Sequence, residues 1–259
     1  MFSLNESNDK NIVCCIKNGK YGDQIVYLNP KDHKQSEDDE YADFDYMKLP
    51  DGKFNLCPNT KKERDIISFF GASGSGKSFL IKEYCLNYHK VYPRNYIYIF
   101  SRKRDDESLK EVKLDRVKID YGLILQPIKY EEFANSCVIF DDIDGLEQTT
   151  KEQKLIRAEV HNLKNQILEL GRSLHITCLI TSHIGTKGHE TRTLINESHK
   201  TVIYPSSGSN YKRLLNFHYG FDKKQIERII NFDSRWVCLC KTYPQIVFTE
   251  NEILPLKDL

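Results

Sequence analysis

The segment Gly71-Ala72-Ser73-Gly74-Ser75-Gly76-Lys77-Ser78 has the spacing G-x-x-x-x-G-K-[ST]. Its glycines allow successive backbone N–H groups to turn inward around a phosphate, and a helix opening at its end adds a partial positive charge. Lys77 is placed to reach the β- and γ-phosphates of a nucleoside triphosphate, and the Ser78 hydroxyl to ligate Mg²⁺. A Gly/Ser-rich surface turn has the same composition. A turn of that kind does not require the apolar run Ile66-Ile67-Ser68-Phe69-Phe70 before it and a helical stretch after it.

A second constellation is Val138-Ile139-Phe140-Asp141-Asp142, an apolar run ending in two carboxylates. Asp141 suits a Mg²⁺ ligand, directly or through water, and Asp142 suits the group that orients or deprotonates the attacking water. A third apolar run ends in Thr181-Ser182-His183. His183 can polarise that water or report hydrolysis, and it can equally be an ordinary exposed loop histidine. Arg172 follows a long helical stretch. It reads either as an arginine finger acting on a neighbouring subunit's γ-phosphate or as a cation that compensates the helix dipole.

The elements that must position these groups follow from periodicity. Residues 11–17 and 24–28 flank Asn18-Gly19 and predict a hairpin, while residues 31–45, with Glu37-Asp38-Asp39-Glu40 at their centre, predict an exposed acidic loop. From residue 65, strands are expected at 66–70, 95–100, 136–140, 176–181 and 201–204. Helices are expected at about 77–89 and 151–170, and a polar helix at 105–115. In the 151–170 helix, Ile156, Val160, Leu163, Ile167 and Leu170 form one stripe, and Gly171 fits the position just past its end. Asp222 and Gln225 resemble a capping box opening a helix that runs to about Asn231, and residues 235–241 and 245–249 a closing hairpin. Apolar strands separated by helices predict an α/β fold: a three-layer P-loop NTPase of the RecA/ASCE-like kind with a mainly parallel central sheet. The expected organisation is an N-terminal hairpin and acidic loop over 1–50 and the P-loop domain over 51–259.

Composition sets outer bounds. The chain has 259 residues, with 38 Lys+Arg against 37 Asp+Glu and a net charge of +1, so no global field draws it to nucleic acid. Local patches such as Lys61-Lys62-Glu63-Arg64, Arg102-Lys103-Arg104 and Lys212-Arg213 would have to hold such a partner, or an oligomer would. The eight cysteines show no paired C-x₂-C spacing. They predict neither a zinc site nor a disulfide framework, and they fit a reducing compartment. No signal-peptide pattern or membrane-length apolar run is visible, so a soluble intracellular protein is expected.

The segments Gly-Ala-Ser-Gly-Ser-Gly-Lys-Ser (71–78), Tyr-Ile-Phe-Ser (98–101), Val-Ile-Phe-Asp-Asp (138–142) and Gly-Arg-Ser-Leu-His-Ile-Thr-Cys-Leu-Ile-Thr-Ser-His (171–183) together resemble the FtsK/HerA superfamily. Within it, the chain looks like the genome-packaging ATPases of large double-stranded DNA viruses. The resemblance covers about residues 54–205, and its last segment is the discriminating one. It implies an ATP-hydrolysing, Mg²⁺-dependent motor on double-stranded DNA, a homo-oligomeric ring, and capsid or portal proteins as further partners. For a virus it implies the host cytoplasm or the virion as location. It assigns Asp141 and Asp142 as the two acids, Arg172 as the finger and His183 as the sensor. The sensor is usually glutamine in that family, and the second acid often glutamate.

Other classes use the same loop. A nucleotide or small-molecule kinase needs an arginine-rich lid, for which Arg102-Lys103-Arg104 stands on the wrong side of the acidic strand. A GTPase switch finds a D-x-x-G match in Asp142-Ile143-Asp144-Gly145, but no Asn-Lys-x-Asp follows to read guanine. Another FtsK/HerA-type translocase, as in conjugation, and a non-catalytic nucleotide-binding scaffold complete the alternatives.

Overall fold

Alternation along β6 (Ile66–Phe70) sets the layers: Ile67 and Phe69 point to one face of a sheet, Ile66 and Phe70 to the other, and all four are buried. The structure is a computed structural model. It describes residues 2–4, 6, 11–28, 46–183, 188–207 and 210–259; the acidic segment expected at 31–45 lies outside the described residues.

Among the described residues, five short strands precede β6. These are β1 (Phe2–Ser3), β2 (Asn11–Lys17), β3 (Ile25–Leu28), β4 (Met47–Lys48) and β5 (Lys53–Asn55). The expected hairpin is present, with β2 and β3 antiparallel around Asn18 and Gly19, both at positive φ. Among the described residues it forms, with β1 and β5, a four-stranded sheet in the order β1–β3–β2–β5, while β4 pairs with a strand of the large sheet instead.

After β6 come α1 (Lys77–Val91), β7 (Ile97–Ser101), β8 (Asp115–Val117), α2 (Gly122–Leu125), β9 (Cys137–Asp141), α3 (Lys151–Leu170) and β10 (Thr177–Ser182). Then follow α4 (Gly188–Glu197), β11 (Lys200–Ile203), α5 (Asn210–Tyr219), α6 (Lys223–Ile230), β12 (Val237–Cys240), β13 (Ile246–Phe248) and β14 (Glu252–Pro255). Among the described residues, the large sheet has ten strands in the order β4–β14–β13–β12–β11–β6–β10–β9–β7–β8. From β11 to β8 the strands run parallel, and the β12–β13–β14–β4 flank is antiparallel.

One face of this sheet is covered by α1, through Leu80, Ile81, Tyr84, Cys85 and Tyr88, and by the small sheet, through Val13, Ile16 and Phe54. The other is covered by α3 (Val160, Leu163, Ile167, Leu168), α4 (Leu194, Ile195), α5 (Leu214, Leu215) and α6 (Ile226, Ile229). The result is the expected three-layer α/β architecture with a mainly parallel centre.

Two local expectations are corrected. Residues 105–115 do not form a polar helix. Asp106 accepts a hydrogen bond from the Ser108 amide (2.9 Å) and opens a single 3₁₀ turn at Glu107–Leu109, and the chain then enters β8 beside β7. Gly171 closes α3, but at φ −68° rather than in the left-handed region. Its role is space: a Cβ there would lie 2.6 Å from the Ile167 carbonyl oxygen and 2.8 Å from Arg64 Nη1. Arg64 donates to the carbonyls of Ile167 (2.5 Å) and Leu168 (2.6 Å), satisfying acceptors that the helix end leaves open. Among the described residues, no helix is long and apolar enough to cross a membrane.

Candidate nucleotide-binding site

The parallel strands β6, β9 and β10 all end at one edge of the sheet, and the loop 71–76 leaves β6 there. Gly76 stands before α1 at φ +106°, a conformation that favours a residue without Cβ. Gly71 is needed for proximity: a Cβ there would meet Ser75 Oγ at 2.7 Å and Tyr204 Cδ2 at 2.8 Å. These backbone demands bend the loop back over the helix N-terminus, where backbone amides and the helix dipole favour an anion.

Lys77 opens α1 and folds back over the loop, donating from Nζ to the carbonyls of Gly71 (2.6 Å) and Ala72 (2.9 Å). Burial pushes its ammonium pKa down, and Asp142 and Asp141 offset part of that; the net result lies below the ordinary lysine value. Ser78 Oγ donates to Asp106 Oδ2 at 3.1 Å.

Asp141 is the last residue of β9 and is buried. Its two oxygens accept from hydroxyls on the flanking strands, Oδ1 from Thr181 of β10 and Oδ2 from Ser101 of β7, each at 2.9 Å. Thr181 Oγ1 also accepts the Asp142 amide at 2.8 Å, which steers the chain as it turns into the left-handed region at Asp142 (φ 51°). The turn presents the Asp142 carboxylate to His183, whose Nε2 lies 3.0 Å from Asp142 Oδ2, while its Nδ1 is 3.5 Å from Lys77 Nζ.

These groups line a cleft of about 340 Å³ that contains Ser73, Gly74, Gly76, Lys77, Ser78, Asp141, Asp142 and His183. The three sequence constellations therefore converge on one cavity. Asp106, Lys103 and Phe79 also line it, and sequence reading did not single out Asp106 or Phe79. Phe79 is more than half exposed at the rim, with Lys17 and Lys82 ammoniums 5.7 and 5.3 Å from its ring centre. Asp106 carries a carboxyl held below its usual range. Burial pushes it up, but hydrogen bonds from Ser108 and Ser78 and the nearby Lys103 outweigh that. The available signal was the acidic step Asp105-Asp106, separated from the end of β7 only by Arg102-Lys103-Arg104.

Arg172 is not in this cleft. It lies beyond α3, before β10 begins, and so at the opposite edge of the sheet. There its guanidinium pairs with Glu63, Nε to Oε2 at 2.6 Å and Nη2 to Oε1 at 3.3 Å, and its side chain is 72% exposed. That edge holds a wider cleft of about 1120 Å³, lined by Glu63, Arg172 and His175 among others, with none of the loop residues.

The donor set fits a magnesium–triphosphate. Among the described residues, no group of three or more His, Cys, Asp or Glu is assembled to hold a metal ion. A divalent ion in this cleft would depend on a hydroxyl, a carboxylate, phosphate oxygens and water, which is the usual manner for Mg²⁺. Ser78 and Asp141 are the protein groups in place for it.

The loop, the acids at the strand ends and the parallel sheet together define a P-loop NTPase fold. The chain belongs to the same family as protein V3 of the Sputnik virophage, itself uncharacterized, with 33% identity over 252 residues and 96% of each chain covered. No protein-family model matches the chain. Among solved structures, the genome-packaging NTPase B204 of Sulfolobus turreted icosahedral virus 2, in complex with AMP, superposes with a TM-score of 0.51 at 14% identity. That match covers 73% of this chain and 98% of that one. The pCW3 conjugation coupling protein TcpA, with ATPγS, gives a TM-score of 0.52 at 10% identity, covering 96% of this chain and 78% of that one. At these identities the likeness is one of fold.

Proposed function

We propose that this chain is an ATP-hydrolysing motor that translocates double-stranded DNA and packages a viral genome. The observation that carries the ATPase reading is the convergence of Lys77, Ser78, Asp141, Asp142 and His183 on one cleft at the carboxyl edge of the sheet. The DNA and packaging parts draw support from the fold shared with B204 and TcpA and from kinship with a virophage protein.

In this reading the loop amides and Lys77 hold the β- and γ-phosphates. Lys77 exchanges its bonds to the Gly71 and Ala72 carbonyls for bonds to phosphate oxygens. Ser78 and Asp141 would hold Mg²⁺, which when bound would neutralise charge on the phosphates. Asp141 enters pre-oriented by Thr181 and Ser101 and needs little rearrangement. Asp142 accepts a proton from, or orients, the attacking water, and His183, bonded to it, fixes the carboxylate's direction. Arg172, at the far edge of its own sheet, can act on a γ-phosphate only in another copy of the chain, and so implies a ring or filament.

The test is steady-state ATP hydrolysis by purified protein with and without long double-stranded DNA, with Lys77→Ala as the blank. Turnover stimulated by DNA and absent in Lys77→Ala is the expected result. Turnover indifferent to DNA, or phosphate appearing on a small acceptor, would overturn the motor reading.

A further inference from the structure

Beside the nucleotide cleft lies a second one of about 690 Å³, and its walls are markedly cationic. Arg102, Lys103, Arg104, Arg116, Lys118 and Arg157 line it against only two acids, Asp120 and Glu147. The whole chain carries a net charge of +1, so this concentration of positive charge is local. A solvated surface would spread these cations out and pair them. Here three elements bring them together: the segment after β7 supplies Arg102, Lys103 and Arg104, β8 and its exit supply Arg116 and Lys118, and α3 supplies Arg157.

The walls are held in place. Arg157 donates to the carbonyls of Asp144 (2.7 Å) and Leu146 (3.1 Å), and Arg116 donates to the Lys103 carbonyl (2.6 Å). Arg102 and Lys118 have only looser or exposed acid partners, Glu147 at 4.0 Å and Asp120 at 2.5 Å. Such a surface suits a run of phosphodiesters, with anchored guanidiniums forming the groove and mobile cations closing on successive phosphates.

The groove is also wired to the nucleotide cleft. Ser101 and Lys103 line it, yet Ser101 Oγ donates to Asp141 (2.9 Å) and accepts the Lys103 amide (3.2 Å). Lys103 Nζ lies 3.5 Å from Asp106 Oδ2, the oxygen that accepts from Ser78. A phosphate that draws Lys103 into the groove weakens its hold on Asp106 and thereby alters the partner of the metal-binding hydroxyl.

We propose that this groove grips the sugar–phosphate backbone of double-stranded DNA and, through Lys103, couples that grip to the nucleotide site. The proposal rests on the DNA-translocating reading above.

The experiment measures binding of a labelled DNA duplex across a salt series for wild-type protein and for Arg104→Ala/Lys118→Ala. Both residues are exposed and lie outside the nucleotide cleft. In the variant, duplex affinity should fall about tenfold or more. The slope of log K against log salt should shrink by about 2, near 0.9 for each phosphate that is no longer neutralised. Affinity for a fluorescent ATP analogue and the basal ATPase rate should stay within twofold of wild type, and DNA stimulation should disappear. Unchanged duplex affinity and slope in the variant, with a wild type that binds and is stimulated by DNA, would overturn the groove and leave the motor reading standing. A wild type that binds no duplex even at low salt would overturn both. Polyglutamate competing as well as duplex at equal charge would identify an acidic-peptide site and overturn the proposal.

Discussion

His183 Nε2 and Asp142 Oδ2 lie 3.0 Å apart, so the residue after β10 and the residue after β9 meet across the mouth of the phosphate cleft. In the proposed mechanism the contact gives the histidine a task that does not depend on touching phosphate: it would hold the carboxylate toward the attacking water. Asp142→Asn should therefore lower hydrolysis by about 10²–10⁴-fold while ATP still binds. His183→Ala should lower kcat by a smaller factor, about tenfold, with little change in nucleotide affinity. Single-turnover hydrolysis and equilibrium nucleotide binding separate these effects. Wild-type turnover in Asp142→Asn would remove it from the water-orienting role.

Ser78 already has a partner: its hydroxyl donates to Asp106 Oδ2 at 3.1 Å. That bond uses the proton and leaves the oxygen lone pairs free for a metal, so the two contacts are compatible. What Asp106 adds is a negative charge beside the phosphates. Asp106→Ala removes that charge and should tighten Mg²⁺-ATP binding by about three- to tenfold, read by titration calorimetry. Weaker binding would show that Asp106 supports the metal side of the site instead of repelling the phosphates.

Arg172 forms a bidentate pair with Glu63 at the edge of the sheet away from its own loop. If it serves a neighbour, Arg172→Ala should cost at least about 100-fold in turnover without weakening ATP binding. Mixing it with Asp142→Asn subunits should recover activity that neither has alone, since some interfaces then combine an intact finger with an intact acid. Co-assembled mixtures that stay inactive would count against a finger acting in trans.

Much of the fold was legible because a parallel sheet buried on both faces writes its strands as apolar runs: residues 66–70, 136–140 and 176–181 fall within one residue of β6, β9 and β10. The α3 stripe was readable through Val160, Leu163 and Ile167, which are buried, while Leu170, at the last turn, is half exposed and Leu168 takes its place in the core. The Asp222–Gln225 capping box was equally readable. β8 was not, since Asp115-Arg116-Val117 is an edge strand with one apolar side chain, held by backbone pairing to β7. Nor could Asp106 be read as a neighbour of Ser78, because that pairing depends on how the chain turns after β7. Arg172 departs from the expected carboxyl edge because it precedes β10, whereas Asp141, Asp142 and His183 stand where β9 and β10 end.

That glycine yields a stability prediction. The Arg64 guanidinium fills the space a side chain at 171 would need, at 2.8 Å from the position of a Cβ. Gly171→Ala must displace Arg64 from the carbonyls of Ile167 and Leu168 and leave buried polar groups short of partners, at a cost of about 1–3 kcal/mol. Urea unfolding should show a lowered midpoint with an unchanged slope. A variant as stable as wild type would mean that the end of α3 relaxes and keeps this cap.

His199 links the same edge of the sheet to pH. Its Nδ1 accepts the Ile66 amide at 3.3 Å, at the start of β6, so the ring must be neutral at that nitrogen. Burial chiefly, with Lys62, Arg64 and Lys200 adding to it and Asp65 opposing, brings its pKa down to about 4. An unfolded chain protonates the same histidine near 6.5, so between roughly pH 6.5 and 4 the unfolded state binds the extra proton. Stability from the neutral ring is therefore complete above about pH 6.5 and is lost as pH falls toward 4, by at most about 3 kcal/mol at ~1.36 kcal/mol per unit. In His199→Asn the amide oxygen can accept the Ile66 N–H without titrating. The difference in unfolding free energy between wild type and variant should shift by about 2 kcal/mol against the wild type between pH 7.5 and 4.5. A difference that stays flat over that window would mean His199 keeps an ordinary pKa, and that opening of this edge exposes it to water.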